Sequence, residues 1–241
     1  MIVEVCAASL DSALSAGRAG ADRIELCSEL GVGGITPSMG LFKEVKARTS
    51  LPVHVLIRPR SGDFAYTEAE FEVILADIAL FKSSGAEGIV CGILQKDHVL
   101  DTDRTEKVLE ASEGLSFTFH RAFDWVPDPM QTFQTLQDMG VNTLLSSGKA
   151  KGAPMGLPLL KKMHKCSRAT TVMPGAGIRP NNIRQFIEAG FKALHLSGAV
   201  MQNNSEPHHG ISLMGGGLLS ETDIATADYE VLRAVVQSVK E

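Results

Sequence analysis

The residues with the clearest chemical potential form two Glu-x-Cys sequences, each at the end of a short apolar run. Glu4 and Cys6 make the first pair, and Glu25 and Cys27 make the second. Because strand side chains alternate between two faces, each strand places its carboxylate and thiol on one face. The opposite face of each strand is too apolar to be exposed to water. We therefore predict that both Glu/Cys faces point into an enclosed space.

Two thiols on neighbouring strands favour a soft metal ion. Parallel strands lie about 4.8 Å apart, which brings Cys6 and Cys27 within reach of one ion, and thiolates select Cu(I) or zinc. A closed zinc site takes four ligands, and the chain has no Cys-x-x-Cys sequence, so two cysteines favour Cu(I). Arg58 or His120 nearby would favour the thiolate form. The alternative is that each cysteine is an ordinary core residue.

Other strand ends carry groups suited to acid–base chemistry on a small anion. Arg58 and Arg60 offer guanidiniums that bind carboxylate or phosphate, with an ion pair to Glu25 or Asp63 as the structural alternative. His120 is predicted to titrate near neutrality, with Glu25 as its partner or as the opposing base. The candidate catalytic residues are Glu25, Arg58 and His120.

Two glycine-containing turns follow the last two strands, where barrels of parallel strands commonly bind phosphate. One turn begins at Gly175 and the other at Ser197. Short glycine turns are also ordinary connections, so both interpretations stay open. The predicted substrate-binding residues are Arg58, Arg60, Gly175, Gly177 and Ser197.

Composition and length restrict the class of protein. With 241 residues, 44% of them hydrophobic, the chain can bury a large core, and it is predicted to form one domain over 1–241. A formal charge of -5 argues against nucleic acid or an anionic membrane as the main partner. No apolar run approaches the roughly 18 residues of a membrane helix. Met1 leads straight into a strand, so we expect a cytoplasmic protein with reduced cysteines.

The elements needed to position these residues alternate along the chain. Strand-like and helix-like segments repeat eight times at an average spacing of about 30 residues, which predicts a parallel sheet closed into a (β/α)8 (TIM) barrel. A doubly wound open sheet is the alternative. A looser stretch over 202–220 is predicted to move, and a final helix is predicted over 227–239. The side chains predicted to lie inside the barrel are Glu4, Glu25, Arg58, His120 and His195.

Several of these sequences together resemble the CutC family of copper homeostasis proteins. The resemblance extends from Met1 to about Val200, and the tail beyond matches poorly. Ser61 and Ala176 stand where the family often has glycine. The matching segments are Gly20 to Cys27, Gly33 to Ser38, Ile57 to Arg60, Gly62 to Phe64, Phe119 to Asp124, Ser147-Gly148, Met173 to Gly175, and His195-x-Ser197.

The resemblance implies a barrel fold, a cytoplasmic location, and a homo-oligomer, either a homodimer or a homotetramer. It also implies a Cu(I) site on Cys6 and Cys27. Two functions stay open from the sequence. One is a copper-binding protein whose partner is the copper ion. The other is an uncharacterised barrel enzyme, a lyase, isomerase or hydrolase, acting on a small anionic or phosphorylated substrate. A purely structural scaffold is disfavoured by the buried charge.

Overall fold

The computed structural model describes residues 1–203 and 222–240, in which strands and helices alternate. The strands are β1 (Ile2–Ala7), β2 (Arg23–Leu26), β3 (Val53–Leu56), β4 (Gly88–Cys91), β5 (Ser116–Phe119), β6 (Thr143–Ser146), β7 (Thr171–Pro174), β8 (Ala193–Leu196), β9 (Ala199–Asn203) and β10 (Asp223–Ala227). The α-helices are α1 (Leu10–Ala19), α2 (Met39–Arg48), α3 (Glu68–Ser83), α4 (Thr102–Ala111), α5 (Pro129–Asp138), α6 (Ala153–Cys166), α7 (Arg184–Glu188) and α8 (Tyr229–Lys240). Short 3-10 helices cover Leu30–Val32 and Arg121–Trp125.

The first eight strands form one parallel sheet. Their order is β7-β6-β5-β4-β3-β2-β1-β8, so each strand pairs with its neighbour in sequence and β1 pairs with β8. A parallel bridge between Gly175 and His195 joins the two ends of the sheet. The sheet is therefore a nearly closed ring, and the predicted (β/α)8 barrel is confirmed.

The barrel is held to its helices by apolar strand residues that point outward. Val3, Val5, Ile24 and Leu26 are all fully buried between strands and helices, as the alternation predicts. Burial of each such side chain stabilises the fold by roughly 1.5–3 kcal/mol. The alternate residues of the same strands point inward and line the barrel interior.

Helix caps fix the ends of the loops on the carboxyl side of the strands. The Ser9 hydroxyl accepts a hydrogen bond from Ser12 N at the start of α1. Thr67 and Glu70 form a capping box at the start of α3. Each of these helix starts follows a loop at the carboxyl end of a strand, so the caps restrict the loops where barrel sites are built.

The structure adds detail that the sequence-based elements lack. Helix α6 begins at Ala153, with Pro154 in its first turn, where its missing N–H has no intrahelical partner anyway. The hairpin β9–β10 was not predicted, since 19 residues separate its strands. The last helix begins at Tyr229 rather than at 227.

The stretch predicted to move, 202–220, is only partly described. Gln202 and Asn203 belong to β9, and the rest of that stretch lies outside the described residues. Within the part of the chain that the structure describes, every helix is too short or too polar to cross a membrane.

Candidate functional site

A cavity of about 740 Å³ opens at the carboxyl ends of the barrel strands. Its volume suits a small metabolite. We call the strand-borne residues at its base, Cys6, Glu25 and His195, the floor. The walls include Leu30, Leu56, Arg58, Phe64, His120, Trp125, Leu145, Gly177, Arg179, Ser197 and Gly198.

Two thiols, one of them the floor residue Cys6, lie side by side at the base of the cavity. Strands β1 and β2 pair so that Cys6 stands opposite Glu25, and Cys27 N donates to the Ala7 carbonyl directly after β2. The sulfur atoms of Cys6 and Cys27 are 3.5 Å apart, and Cys6 Sγ donates to Glu25 Oε1 at 3.4 Å. Both thiols are free and buried. Since metal–sulfur bonds are about 2.3 Å long, two sulfurs at this separation can bind one ion.

The predicted activation of Cys6 by Arg58 or His120 is wrong. The hydrogen bond with Cys27 raises the pKa of Cys6 well above its usual 9.0, and burial and the Glu25 carboxylate add to the effect. Neither Arg58 nor His120 donates a hydrogen bond to either sulfur. Without a metal, Cys6 is therefore a neutral thiol, and a metal must displace its proton.

A buried ionic network lies beneath the floor. Glu4 is fully buried, accepts from Arg23 Nε at 2.5 Å, and lies 2.8 Å from His195 Nδ1. Burial alone would raise the pKa of Glu4, but the hydrogen bond with His195 and the charge of Arg23 lower it to about 2. Burial, with the charge of Arg23, lowers the pKa of nearby His54 to about 4. The predicted interior positions of Glu4 and His195 are confirmed.

Arg23 belongs to this network although it was not predicted as a site residue. The sequence contains a signal for it, because Arg23 stands two residues before Glu25 in β2 and strand alternation places both side chains inside the barrel. There the guanidinium contacts Glu4 and, through Nη2, the sulfur of Met173 at 3.6 Å. Together with the hydrogen bond from His195, the charge of Arg23 keeps Glu4 ionised in the barrel interior.

The two interior carboxylates have opposite acid–base properties. Burial raises the pKa of Glu25 in spite of the nearby His195 charge, whereas the pKa of Glu4 is depressed. Glu25 Oε2 has no hydrogen-bond partner among the described residues and lies 3.9 Å from His195 Nδ1. Burial lowers the pKa of His195, but the charge of Glu25 and the hydrogen bond with Glu4 raise it overall. Two carboxyl groups whose pKa values are shifted in opposite directions can act one as an acid and the other as a base.

Three floor residues also form a potential metal-binding group. Ligand atoms of Cys6, Glu25 and His195 all lie within 4.8 Å of one another, and all three residues are buried. The sequence predicted Cys6 and Cys27 as ligands. The geometry adds one nitrogen and one oxygen donor to the same place, so the site offers up to four donors, the two sulfurs included.

Arg58 is a buried cation without a carboxylate partner in residues 1–203 and 222–240. Its Nη1 donates to the carbonyls of Val32 and Gly34, and its Nη2 donates to that of Gly62. The side chain is 5% exposed, and Nε has no partner. The guanidinium also packs 5.1 Å over the ring of Phe64. The alternative of an ion pair with Glu25 or Asp63 is therefore wrong for Arg58, although Arg60 does pair with Asp63. The positive charge of Arg58 lies on the cavity wall.

His120 lines the same wall, but it does not titrate near neutrality as predicted. Burial, reinforced by the charge of Arg58, lowers the pKa of His120 to about 3. Its Nδ1 accepts a hydrogen bond from Ala122 N, which leaves the proton of the neutral ring on Nε2. That Nε2 has no partner within the described chain. His120 is therefore a neutral donor rather than a proton carrier.

The remaining predicted site residues are divided between the cavity and its surroundings. Gly177 and Ser197 line the cavity. Arg60 does not, because its guanidinium pairs with Glu70 at 2.5 Å and with Asp63 at 3.0 Å. Gly175 lies beside His195 at the seam of the barrel and is not part of the cavity wall. The structure thus brings together Cys6, Cys27, Glu25, Arg58, His120, Gly177 and Ser197.

Eight parallel strands, with a cavity at their carboxyl ends that is lined by both apolar and charged side chains, define the class of this molecule, a (β/α)8-barrel protein with a candidate ligand site. Its family follows from comparison with known proteins. The model of the CutC family matches residues 1–200. This chain belongs to the CutC family, as its sequence motifs predict.

Relatives match nearly the whole chain. A CutC family protein from Erwinia tasmaniensis is 38% identical over 235 residues, which are 97% of this chain and 94% of the relative. One from Salmonella typhimurium is 39% identical over 240 residues, covering 100% and 95%. The crystal structure of the putative copper homeostasis protein CutC from Streptococcus agalactiae has a TM-score of 0.77 and 30% identity, covering 82% of this chain and 98% of that one.

Proposed function

We propose that this protein binds Cu(I) in the cytosol and acts in copper homeostasis, with the ion held by Cys6 and Cys27. The observation that carries the proposal is the pair of buried thiols with sulfur atoms 3.5 Å apart at the base of an open cavity. Thiolates are ligands that Cu(I) prefers. The structural relative from Streptococcus agalactiae is a putative copper homeostasis protein, which supports the same function here.

The donor set fits a copper ion as cargo. Two sulfurs satisfy the low coordination number of Cu(I), and the His195 nitrogen and Glu25 oxygen lie close enough to bind or to orient the ligands. Cys6 lines the cavity, so an ion can arrive from its open end, while Cys27 is fully buried behind it.

The Cys6→Ser, Cys27→Ser double variant should bind Cu(I) more than about 100-fold more weakly, because loss of a supporting residue alone costs about 10- to 100-fold. The measurement is a titration of reduced, oxygen-free protein against a chromogenic Cu(I) chelator. The expected native result is one tight Cu(I) per chain and a weaker response to zinc.

Cys166→Ser is the matched control, since Cys166 is a free, exposed cysteine. Its Cu(I) affinity should equal that of the native chain. Circular dichroism should show that the double variant is still folded. Equal Cu(I) stoichiometry and affinity in the native chain and the folded double variant would exclude the cysteine site.

A second function, a barrel enzyme that acts on a small anion, is favoured by one specific observation. Arg58 is 5% exposed and has no carboxylate partner in the described structure. A buried charge without a counter-ion is costly, and an anionic ligand would supply one. Arg58 would hold the anion, Glu25 would exchange a proton, and His120 would donate a hydrogen bond from Nε2.

We expect at least one carboxylated or phosphorylated metabolite to stabilise the native chain but not the Arg58→Gln variant. A ligand at about 100 times its dissociation constant adds roughly 2.7 kcal/mol to the free energy of unfolding. The measurement is the shift in Tm on adding each metabolite. Arg184→Gln is the control, because its side chain is 89% exposed. An equal ligand-induced shift in Arg58→Gln and the native chain would refute the role of Arg58.

A further inference from the structure

Four backbone amides of cavity-lining residues have no hydrogen-bond acceptor among the described residues. Two lie in the loop after β7 and two in the loop after β8, and the loops are adjacent because the ends of these strands are bridged. Amides next to them in the chain do have acceptors, since Gly175 N donates to Ser146 O and Ala199 N donates to Ser197 Oγ. The free amides belong to Gly177, Ile178, Ser197 and Gly198.

The backbone conformation gathers these amides. Ala176 and Gly177 both have a φ of 74°, and Gly198 has a φ of 58°. Successive N–H groups in such turns form concavities that bind anions. Gly177 adopts this conformation without strain, but Ala176 does not, and strained residues of this kind cluster at ligand-binding sites.

A cation completes the same wall. Arg179 lines the cavity, and its Nη2 donates to the Ala199 carbonyl at 3.0 Å, which connects the loop after β7 to the loop after β8. No carboxylate within 1–203 or 222–240 forms an ion pair with Arg179. Its positive charge is therefore available to a ligand held by the amides.

The opposite wall carries Arg58, because β3 and β7 are four strands apart in a ring of eight. A cavity of about 740 Å³ is much larger than one phosphate group. We propose that it binds a small phosphate monoester, with the phosphate on Gly177 N, Gly198 N and Arg179. The other end of this ligand reaches toward Arg58 and Glu25. This inference rests on the second proposed function.

Phosphate fits these groups better than carboxylate does. A phosphate group offers three strong acceptor oxygens in a tetrahedral arrangement, whereas a carboxylate offers two in one plane. Amides from two separate loops together with a guanidinium approach a ligand from several directions. The amides of Gly177, Ile178, Ser197 and Gly198, in two adjacent loops beside Arg179, are thus free to donate to such a ligand.

The test is a titration of the ¹⁵N-labelled, reduced full chain with inorganic phosphate, with chloride at matched ionic strength as the reference. The amide resonances of Gly177 and Gly198 should shift with one common dissociation constant. Arg179→Gln should weaken that binding about tenfold or more, since a charged hydrogen-bond partner is lost. Arg179→Lys should restore part of it, and the exposed control Arg184→Gln should match the native chain.

The outcomes separate this inference from the proposed function. Shifts confined to the amides of Ser61 and Gly62, beside Arg58, would overturn the phosphate position while supporting an anion at Arg58. No shift in either region at tens of millimolar phosphate would refute both. Equal phosphate affinity in Arg179→Gln and the native chain would overturn the role of Arg179.

Discussion

Replacing Glu4 by glutamine should lower the free energy of unfolding by about 3–5 kcal/mol, the range for removing one partner of a buried ion pair. Glutamine keeps the shape of the side chain but removes its charge. Arg23, whose side chain is 12% exposed, and His195, 9% exposed, would then lose their carboxylate inside the barrel. The measurement is urea-induced unfolding at pH 7 for the native chain and the variant.

Glu188→Gln is a matched control for this substitution. Glu188 pairs with Arg184 at 2.8 Å, but the two side chains are 63% and 89% exposed, so the change should stay within about 0.5 kcal/mol. If Glu4→Gln cost no more than Glu188→Gln, the interior network would not stabilise the barrel. In an Arg23→Met background the cost of Glu4→Gln should shrink, because the two charges are coupled.

The difference in the free energy of unfolding between the native chain and Glu4→Gln should depend on pH in a defined direction. The pKa of Glu4 falls from 4.5 to about 2 on folding, so its stabilisation is complete above pH 4.5 and is lost as the pH falls toward 2. The gap between the native chain and Glu4→Gln should close over that interval. The pKa of His195 is raised above 6.5 on folding, so its contribution is complete below pH 6.5 and is lost as the pH rises through the folded value.

The interior charge therefore has two layers with different roles. The lower layer, Arg23 and Glu4, is an ion pair and fixes His195 through a 2.8 Å contact. The upper layer, Glu25 and Cys6, retains an unpartnered oxygen and a neutral thiol at the cavity floor. A hydrogen-bonded layer beneath the residues that meet a ligand is how a rigid site is supported. Buried charge in this barrel thus stabilises the fold and leaves Glu25 and Cys6 available for a ligand.

The sequence was sufficient for the barrel and for its inward-facing residues. A period of two along β1, β2 and β8 determines which side chains point inward, and that period needs no tertiary information. Glu4, Glu25 and His195 follow from it directly. The same period places Arg23 inside, but Arg23 precedes the repeated Glu-x-Cys pattern and has no counterpart in the first copy, so the repeat does not single it out.

The sequence was not sufficient for the loops. Arg58 and Arg60 are two residues apart, yet one lines the cavity while the other pairs with Glu70 on the next helix. Their separation depends on the fold of the loop after β3, which no periodicity encodes. The pKa of His120 likewise depends on burial and on the position of Arg58. Neither could be read from local sequence.

One family motif acquires a physical meaning only in the structure. Asp124, at the end of the segment that begins at Phe119, accepts from the hydroxyls of Ser146 and Ser147 at 2.6 and 2.9 Å. It also accepts from the backbone N–H groups of Ser147 and Lys149. The carboxylate thus fixes the loop after β6 to the loop after β5, and the loop after β5 borders the cavity through His120, Arg121 and Trp125.

Gly156→Ala should destabilise the protein by about 4 kcal/mol or more, a loss expected only when a substitution forces atoms to overlap in the packed interior. A Cβ at Gly156 would overlap the carbonyl oxygen of Ser147 and lie 2.8 Å from Gly148 Cα. Both are backbone atoms, which cannot rotate away. The start of α6 approaches the loop after β6 so closely that only glycine fits. Urea-induced unfolding or, for an insoluble variant, the soluble yield measures the loss.

Gly17→Ala is the control, and it should have the opposite sign. Gly17 is also a helical glycine, but its Cβ would meet Thr49 Oγ1 at an ordinary 3.6 Å. Alanine in the interior of a helix is favoured over glycine by about 1 kcal/mol, so the variant should be more stable than the native chain. A small cost for Gly156→Ala would show that the loop after β6 can yield. Asp124 would then not hold Ser147 rigidly, and the cavity wall that it supports would be able to move.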